Sequence, residues 1–506
     1  MDQDRISAEL AERRARGVRT GIYIAVVVVV LRYLPVTSEL LFFSLIDHTA
    51  QDGAFVLRGA QPPDDIAIIA IDDLSLRADR LGQFPWPRET YGRLLQMLPE
   101  AKVVAFDVLF TEPDRTGPAS DAAFAAAISK HGRVVLAMHK QAEVALDGEG
   151  GGEPSDLLKG YTLPAEATMR IAPMAADTLN PVTLAPPVRV LAEAAAGIGY
   201  VDISPDSDGV YRRVRPLWVG TDGKAYPHFS VETARVASGA QPGDMTRELT
   251  HGRLGVSEHK VNLDGGGRML INYCGPHGTI PTYSFWDVLQ GTVPPDEFKD
   301  KIVFVGASAP GLYDIRSGPY WTQRRFFLGV ETNANIVNSL LRMPALTDGS
   351  QSLGWILFAI LLGALAGWVV WTGRESSGPT IGAGLVLLVA LPSFFVAFYT
   401  IAHVSPYSAV LLATAVPVAL GAYEAGVKVV SAYPGTPSTE ATVERSIPLL
   451  SKIPIIGELF KHKSFANGDT ELVILLTPKI VTGTAHGPGF VHPAEQELRD
   501  MSRLDD

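Results

Sequence analysis

Four apolar runs stand out against the polar background of this chain. The first covers residues 21–31 and follows five arginines: Arg5, Arg13, Arg14, Arg16 and Arg19. The other three carry no charged residue and cover residues 353–371, 379–402 and 404–423. A helix of about 20 apolar residues spans the hydrocarbon core of a bilayer. The pattern therefore predicts four transmembrane helices, one at 18–36 and three at the longer runs.

Two other interpretations fit part of this pattern. A cleaved signal peptide has the same basic start and short apolar stretch, but no small-x-small cleavage site follows residue 31. Buried core helices of a soluble protein also give apolar runs. Three uncharged runs so close together favour membrane helices, and Arg32 at the end of the first run is expected to reach the lipid headgroups.

The distribution of basic residues predicts the orientation, because Lys and Arg are enriched on the cytoplasmic side. The arginine-rich residues 1–17 are then cytoplasmic, and residues 37–352 form an extracytoplasmic domain. Arg374 and Lys428 both fall on the cytoplasmic side, so the tail, residues 424–506, is cytoplasmic. The sequence thus predicts a multi-pass protein of the inner (plasma) membrane with a large periplasmic or extracellular domain.

The extracytoplasmic segment has the pattern of an α/β domain. Strands are predicted at 66–71, 103–110 and 133–138, with helices at 89–98 and 121–130 between them and Ser120 as the cap of the second helix. Strands joined by helices give right-handed crossovers and parallel pairing. Further strands are predicted at 269–273 and 301–307, and helices at 229–238 and 331–341. We therefore expect an α/β fold with a partly parallel sheet. A turn is predicted at residues 204–209 (SPDSDG), which faintly resembles a calcium loop but lacks its spacing.

Three aspartates lie near the carboxyl ends of predicted strands, where open α/β sheets bind ligands. Asp72 and Asp73 follow the first strand, and Asp107 lies in the second. One interpretation is a carboxylate-lined pocket for a cation or polar ligand. The other is that these residues cap helices and close turns. No His or Cys with metal-ligand spacing accompanies them, so no metal site is predicted.

Composition excludes several classes of protein. Hydrophobic residues make up 47% and charged residues 19% of the 506 residues, which is typical of a membrane protein. The net charge of −11 argues against nucleic acid as a partner. The single cysteine, Cys274, excludes an intramolecular disulfide and is expected to be a small buried residue.

Six ordered blocks resemble the type-two CHASE domain, an extracytoplasmic sensor of bacterial cyclases and kinases. They are IAIIAIDDLSL (66–76), FPWPRETYGRLL (84–95), VVAFDVLFTEPD (103–114), SDAAFAAAI (120–128), GYVDISPDSDGVYRRVRPL (199–217) and FKDKIVFVGASAPGLYD (298–314). The resemblance covers residues 41–341. It implies sensing of an extracellular signal, three following transmembrane helices and a cytoplasmic output domain. One position departs from the family, since Asn333 stands where members tend to have histidine.

The tail resembles two unrelated families. Residues 419–441 (ALGAYEAGVKVVSAYPGTPSTEA) resemble the large subunit of indolepyruvate-type ferredoxin oxidoreductases, but that family's Gly-Asp-Gly motif and cluster cysteines do not accompany them, so no cofactor is expected. Residues 446–481 resemble the C-terminal end of secretins through IPIIGELF and ELVILLTPKIV, with a strand predicted at 472–476 after a turn at Asn467-Gly468. About 80 residues after the last helix are too few for a kinase or cyclase domain.

These features predict a membrane-anchored sensor that is not an enzyme and has no recognisable catalytic output domain of its own. Its expected partners are membrane lipid, an unknown extracellular ligand, a second copy of the chain and a separate cytoplasmic effector. Gly363 and Gly367 form a small-xxx-small pair predicted to make a helix contact, either between two copies or inside the three-helix cluster. The alternatives are a secretion or pilus assembly component, a thiamine-dependent enzyme fragment, and a fusion or truncation product.

Overall fold

The computed structural model divides the chain into two compact units, residues 1–429 and 430–506. The residues that the structure describes are 2–33, 41–142, 182–220, 224–247, 249–256, 259–264, 266–309, 311–312, 315–320, 326–342, 346–348, 353–372, 389, 393, 403–404, 407–424, 442–446 and 461–465. All the helices named below, and every strand but the last two, lie in the first unit.

The helices of the described residues fall at both ends of the chain and between the strands. They are α1 (Asp2–Tyr33), α2 (Leu41–Arg58), α3 (Asp73–Leu76), α4 (Arg88–Gln96), α5 (Pro118–His131), α6 (Arg189–Ala194), α7 (Phe229–Ser238), α8 (Pro242–Thr246), α9 (Phe285–Leu289), α10 (Gly329–Leu341), α11 (Leu353–Thr372) and α12 (Tyr407–Glu424). Two 3-10 turns accompany them, Leu249–His251 and Pro295–Phe298.

The strands are mostly short. They are β1 (Ile66–Ile71), β2 (Val103–Leu109), β3 (Val134–Ala142), β4 (Val182–Ala185), β5 (Gly197–Tyr200), β6 (Arg213–Val214), β7 (Leu217–Val219), β8 (Ala225–Pro227), β9 (Arg253–Val256), β10 (His259–Asn262), β11 (Met269–Leu270), β12 (Thr282–Ser284), β13 (Ile302–Ala307), β14 (Ile315–Ser317), β15 (Phe326–Leu328), β16 (Thr347–Asp348), β17 (His403–Val404), β18 (Thr442–Ser446) and β19 (Lys461–Phe465).

A seven-stranded sheet forms the centre of the first unit. Six strands run parallel in the order β12-β1-β13-β2-β3-β5, and β4 pairs antiparallel with the second half of β3. The sheet is therefore partly parallel, as predicted. The late strand β13 lies between β1 and β2, with Phe304 opposite Ile68 on one side and Ala105 on the other.

Both faces of this sheet are covered, which explains why its strands are continuously apolar. All six residues of β1 are buried. Ile68 points into a core formed with α2, α7 and α10, whereas Ile69 points into a second core formed with α4, α5 and α9. In the second core, the ring of Tyr91 packs edge-on against Phe106 and Phe110. The sheet therefore positions the domain's helices on two opposite sides.

Most predicted elements of the domain are present with small differences at their ends, but the strand predicted at 269–273 is shorter, since β11 ends at Leu270, and two other differences stand out. The predicted cap of α5 is wrong, because α5 begins at Pro118 and the Ser120 hydroxyl instead accepts a hydrogen bond from the backbone N–H of Glu89 (3.0 Å). Proline suits the first turn of a helix, where its missing N–H has no intrahelical partner. The sequence analysis also missed α2, although Phe43, Ala50 and Ala54 follow a helical spacing and are buried.

The terminal helices of the first unit pack against one another. α1, α11 and α12 enclose a small apolar core that contains Ala25, Leu362 and Ala413. Among the described helices, α11 is long and apolar enough to cross a membrane, with a mean hydropathy of 2.3, and it is the one that meets that test.

The predicted transmembrane spans overlap these helices to different extents. The span at 353–371 falls within α11, and the span at 404–423 overlaps α12. The span at 18–36 overlaps α1, which begins much earlier, at Asp2, and residues 34–36 lie outside the described residues. Of 379–402, only Val389 and Ser393 are described. The four-helix arrangement stays a prediction.

In the second unit, β18 and β19 form an antiparallel pair, with Glu444 opposite Lys463. The sequence analysis did not predict this pair. The strand predicted at 472–476 and the turn at Asn467-Gly468 lie outside the described residues.

Candidate functional site

Asp72 follows β1 and caps the short helix α3. Its Oδ1 atom accepts hydrogen bonds from the backbone N–H of Ser75 (3.0 Å) and from the Ser75 hydroxyl (2.5 Å). The hydroxyl of Ser284, the last residue of β12 in the same sheet, donates to the same oxygen (3.0 Å). Asp73 is the first residue of α3 and is exposed. Asp72 therefore joins two neighbouring strand ends through a cap.

Asp107 belongs to a different network, on the sheet face covered by α7 and α10. The Asn333 side chain donates from Nδ2 to Asp107 Oδ2 (3.0 Å) and accepts from the Ser230 hydroxyl at Oδ1 (3.0 Å). Asn333 and Ser230 are fully buried. The residue that departs from the family pattern thus bridges α10, α7 and β2, with an amide that both donates and accepts.

The sheet places the predicted carboxylates on one edge without bringing them together. β13 separates β1 from β2, and its Gly306 lies opposite Asp107. A Cβ atom at Gly306 would lie 2.7 Å from the Val330 side chain, so only glycine lets α10 approach this strand. Among the described residues, no three His, Cys, Asp or Glu side chains are placed to hold a metal ion. Ligand binding by Asp72, Asp73 and Asp107 stays a prediction.

A row of polar side chains along α10 accepts hydrogen bonds from the loop before β12. Glu331 accepts from the backbone N–H of Gly278 (2.8 Å) and faces the ring of His277 (2.5 Å). One turn later Asn335 accepts from the backbone N–H of Cys274 (2.9 Å), and Ser339 accepts from that of Asn272 (2.7 Å). The i, i+4, i+8 spacing of these side chains is a signal that the sequence analysis overlooked.

A set of charged side chains, most of them buried, lies where α2 meets the domain. We call it the ionic cluster; its members are His48, Asp52, Asp206, Asp208, Arg212, Arg213, Asp264 and Arg268. At its centre, the guanidinium of Arg212 forms a bidentate ion pair with Asp52, with both N–O distances at 2.7 Å. Arg212 is 2% exposed. Bidentate pairs of this kind are the strong ones.

The turn predicted at residues 204–209 supplies the facing carboxylates. The backbone N–H groups of Asp206 and Gly209 bond to the carbonyls of Val210 and Asp206, and Gly209 has a φ of +82°. This tight turn sets Asp208 Oδ1 2.9 Å from Arg212 Nη1 and Asp206 Oδ2 2.8 Å from Arg213 Nη1. The Asp-rich segment that faintly resembles a calcium loop therefore binds arginines.

His48 completes the contact from the α2 side, one turn before Asp52. Its Nδ1 lies 3.5 Å from Asp208 Oδ2 and its Nε2 lies 3.7 Å from Asp206 Oδ2. Although burial would raise it, hydrogen bonds from His48 and Arg212 hold the pKa of Asp208 well below its ordinary value. Burial disfavours the charge of Arg212, but its bonds to Asp52 and Asp208 raise its pKa. The cluster therefore holds α2 by charge.

A further ion pair continues from α2 to α1. Arg32, near the end of α1, donates from Nη2 to Asp47 Oδ2 at 3.0 Å, and both side chains are largely buried. Asp47 precedes His48 in α2. α2 therefore contains Asp47, which pairs with α1, and also His48 and Asp52, which belong to the ionic cluster.

Glycines fit α1 against α11. A Cβ atom at Gly363 would lie 2.6 Å from Ala25 Cβ, and one at Gly367 would lie 3.0 Å from Gly21 Cα. Gly17 in turn packs against the backbone of Gly367. The two helices run antiparallel, because Gly17 meets the later glycine and Gly21 the earlier one. Gly363 and Gly367 therefore lie in a contact within one chain, with the N-terminal helix.

Comparison with protein families agrees with this architecture. The family model described as "CHASE2 domain" matches residues 23–367, which is more than half of the chain. The chain belongs to the CHASE2 family. CHASE2 domains are extracytoplasmic sensor domains, and the resemblance predicted from the sequence is confirmed. The match includes the sheet, the ionic cluster, and the greater part of α11.

A second, short match lies in the tail. Residues 436–482 match the family model described as "Bacterial type II and III secretion system protein", the secretin family. This match supports the predicted secretin-like segment. The resemblance of residues 419–441 to the indolepyruvate ferredoxin oxidoreductase large subunit has no support from these comparisons. Comparison with curated proteins and comparison with solved structures each give no match.

Proposed function

We propose that this CHASE2 protein is a membrane-anchored extracytoplasmic sensor whose signal leaves the domain through α2. The observation that carries this proposal is the bidentate pair of Arg212 with Asp52, because it ties the domain to a helix that also holds α1 through Asp47. A stimulus that alters the domain near the ionic cluster then changes the position of α2 and, with it, α1.

The proposal includes four membrane helices, and the pairing of β16 with β17 supports it. Thr347 pairs in parallel with His403, so the residues just before α11 lie beside those just before α12. The two helices then start at the same end of the bundle. Thr372, the last residue of α11, and His403, just before α12, therefore lie at opposite ends of the bundle. An α-helix rises about 1.5 Å per residue, so the residues between them are numerous enough for one more crossing.

The arginines of α1 support the orientation. Arg13, Arg14, Arg16 and Arg19 precede the apolar part of α1, as the positive-inside rule expects of a cytoplasmic start. The CHASE2 domain then lies outside the cytoplasm. The proposed partners are membrane lipid, a ligand of the domain, a second copy of the chain, and a cytoplasmic effector.

A topology assay tests this function. Paired reporters, one active only in the periplasm and one only in the cytoplasm, are inserted at Gly150 and Gly378 and fused after Asp506. The expected result is periplasmic at Gly150 and cytoplasmic at the other two sites. A periplasmic signal after Asp506 refutes the four-helix arrangement. A cytoplasmic signal at Gly150 refutes the sensor function itself. As a control, glutamine replaces the arginines of α1, namely Arg13, Arg14, Arg16 and Arg19. The periplasmic signal at Gly150 is then expected to fall.

A second candidate function is that of a secretion-system component, favoured by the match at residues 436–482. Secretins form barrels in the outer membrane, and a segment that docks to one must lie in the periplasm. The same assay separates the two candidates, because the secretion function needs the periplasmic signal after Asp506.

A further inference from the structure

The ionic cluster contains one histidine, His48, beside its aspartates and arginines. Histidine is the side chain whose ordinary titration falls between about pH 5 and 8. His48 is buried and lies on α2, between the two carboxylates of the turn at 204–209. The signal path proposed above therefore passes a titratable group.

Both ring nitrogens of His48 face carboxylates. Nδ1 lies 3.5 Å from Asp208 Oδ2 and Nε2 lies 3.7 Å from Asp206 Oδ2. A neutral imidazole has one N–H, whereas the imidazolium has an N–H on each nitrogen and faces both carboxylates at ion-pair distance. Protonation therefore adds a donor between α2 and the turn, and it adds a charge opposite two negative groups.

The other charged groups around the imidazole ring have opposing effects on its protonation. Arg213 Nη1 lies 3.5 Å from Nε2 and opposes protonation, but it is itself bound to Asp206. Asp52 lies one turn further along α2 and favours the cation. Asp47, on the same helix, faces Arg32 of α1. The described side chains of α12, which packs against α2, carry no titratable group.

The charge balance of the whole cluster decides the direction. Four aspartates face three arginines, so the cluster has a formal charge of −1 with His48 neutral and zero with His48 protonated. Asp264 and Arg268 pair with each other at 3.0 Å, so their charges cancel and the formal charge of the cluster is the same without them. Burial disfavours the charge of an imidazolium, and the attraction of the two facing carboxylates opposes that desolvation cost.

We propose that the stimulus of this sensor is the proton, and that protonation of His48 tightens the attachment of α2 to the turn at residues 204–209. Acid outside the cell then holds α2 against the CHASE2 domain. When the imidazolium loses its proton at higher pH, its positive charge and second N–H are lost and the attachment loosens. This inference rests on the proposed sensor function, since it requires the domain to be exposed to the extracytoplasmic pH.

Hydrogen–deuterium exchange of the full chain in detergent micelles tests the inference. The protection of the α2 amides is compared at about pH 5.5 and about pH 7.5, with each rate corrected for the intrinsic chemical exchange. We expect about tenfold higher protection at the lower pH, which corresponds to about 1.4 kcal/mol. His48→Gln is expected to abolish the difference. His131→Gln is the matched control, because that histidine bonds to the Leu98 carbonyl and lies away from α2.

Each outcome decides the inference. Equal protection of α2 at both pH values in the unmodified protein overturns it without any variant. A pH response that survives in His48→Gln, or that disappears in His131→Gln, also overturns it. If His48→Gln does not fold, Asp208→Asn replaces it, and an undiminished response in that variant is the refuting result. A cytoplasmic signal at Gly150 in the topology assay instead ends the sensor function, whatever the exchange data show.

Discussion

Replacing Arg212 by methionine removes the centre of the ionic cluster while keeping a side chain of similar length. The guanidinium makes two 2.7 Å bonds to Asp52 and one of 2.9 Å to Asp208, and it is 2% exposed. The variant leaves the carboxylate of Asp52 buried beside a thioether. Breaking one partner of a buried ion pair is costly because the other charge stays desolvated.

The expected loss of stability is about 3–5 kcal/mol, the range for removing one member of a buried pair. Taking about 2 °C per kcal/mol for a large domain, Tm falls by about 6–10 °C. Asp52→Asn is expected to cost less, because Arg212 keeps Asp208. In the double variant the two losses do not add, and a coupling of at least about 1 kcal/mol is expected between them.

The protein contains its own probe for this measurement. Cys274 is its single cysteine and is 3% exposed. Burial also raises the pKa of its thiol to about 12, so a maleimide dye that becomes fluorescent on reacting with a thiol labels it only after unfolding. Heating the purified protein in detergent with this dye gives Tm directly.

The control is Arg189→Met, which breaks an exposed pair with Glu193 at 3.4 Å. Surface pairs are worth less than about 1 kcal/mol, so Tm is expected to change by no more than about 2 °C. If Arg212→Met also stays within that range, the ionic cluster does not hold α2, and the reasoning on signal relay fails.

Of three further predictions, the first two use the same dye assay; the third is measured at low pH, where a thiol does not react with maleimide, and uses tryptophan fluorescence instead. Gly363→Leu is expected to lower the free energy of unfolding by about 1–3 kcal/mol, because it forces α11 away from α1. The control is Gly53→Ala, where a Cβ meets nothing within 4 Å, and it is expected to be neutral or stabilising. Equal changes in Tm for the two variants would contradict the contact between α1 and α11. Asn333→Ala is expected to cost about 1–3 kcal/mol through the lost bonds to Asp107 and Ser230, and an unchanged Tm would exclude their role. Although burial opposes it, bonds from the Arg88 backbone and the Ser120 hydroxyl lower the pKa of Asp114 to about 2. Its contribution, about 1 kcal/mol after solvent screening, is therefore present above about pH 4 and lost as the pH falls to about 2. Asp114→Asn should remove that part of the acid sensitivity, and an unchanged acid profile would contradict this.

Local patterns were enough to predict several regular elements of the CHASE2 domain, though not α2 or the short strands. The run IAIIAI became the buried strand β1 with the predicted bounds, and α7 has the bounds predicted for the helix at 229–238. Both follow from continuous or periodic apolar residues, which act within a few neighbours. The turn at residues 204–209 was likewise predicted from its Asp and Gly residues.

What the sequence did not disclose depends on residues far apart in the chain. Asp52 and Arg212 are 160 positions apart, and nothing local marks one as the partner of the other. Ser120 was predicted as a cap because short hydroxyl residues often cap helices, yet its hydroxyl binds the backbone of α4. The glycines of α11 predicted a helix contact, but their pattern did not identify α1 as the neighbour.

The central place of β13 also determines when this protein is able to fold during its synthesis. β1 and β2 cannot complete their pairing until residues 302–307 emerge, about 190 residues after β2 is finished. At a synthesis rate of about 5–20 residues per second, the facing edges of these two strands stay unpaired for about 10–40 s. A growing chain therefore needs protection of those edges, and a fragment ending before residue 302 is expected to aggregate instead of forming a smaller domain.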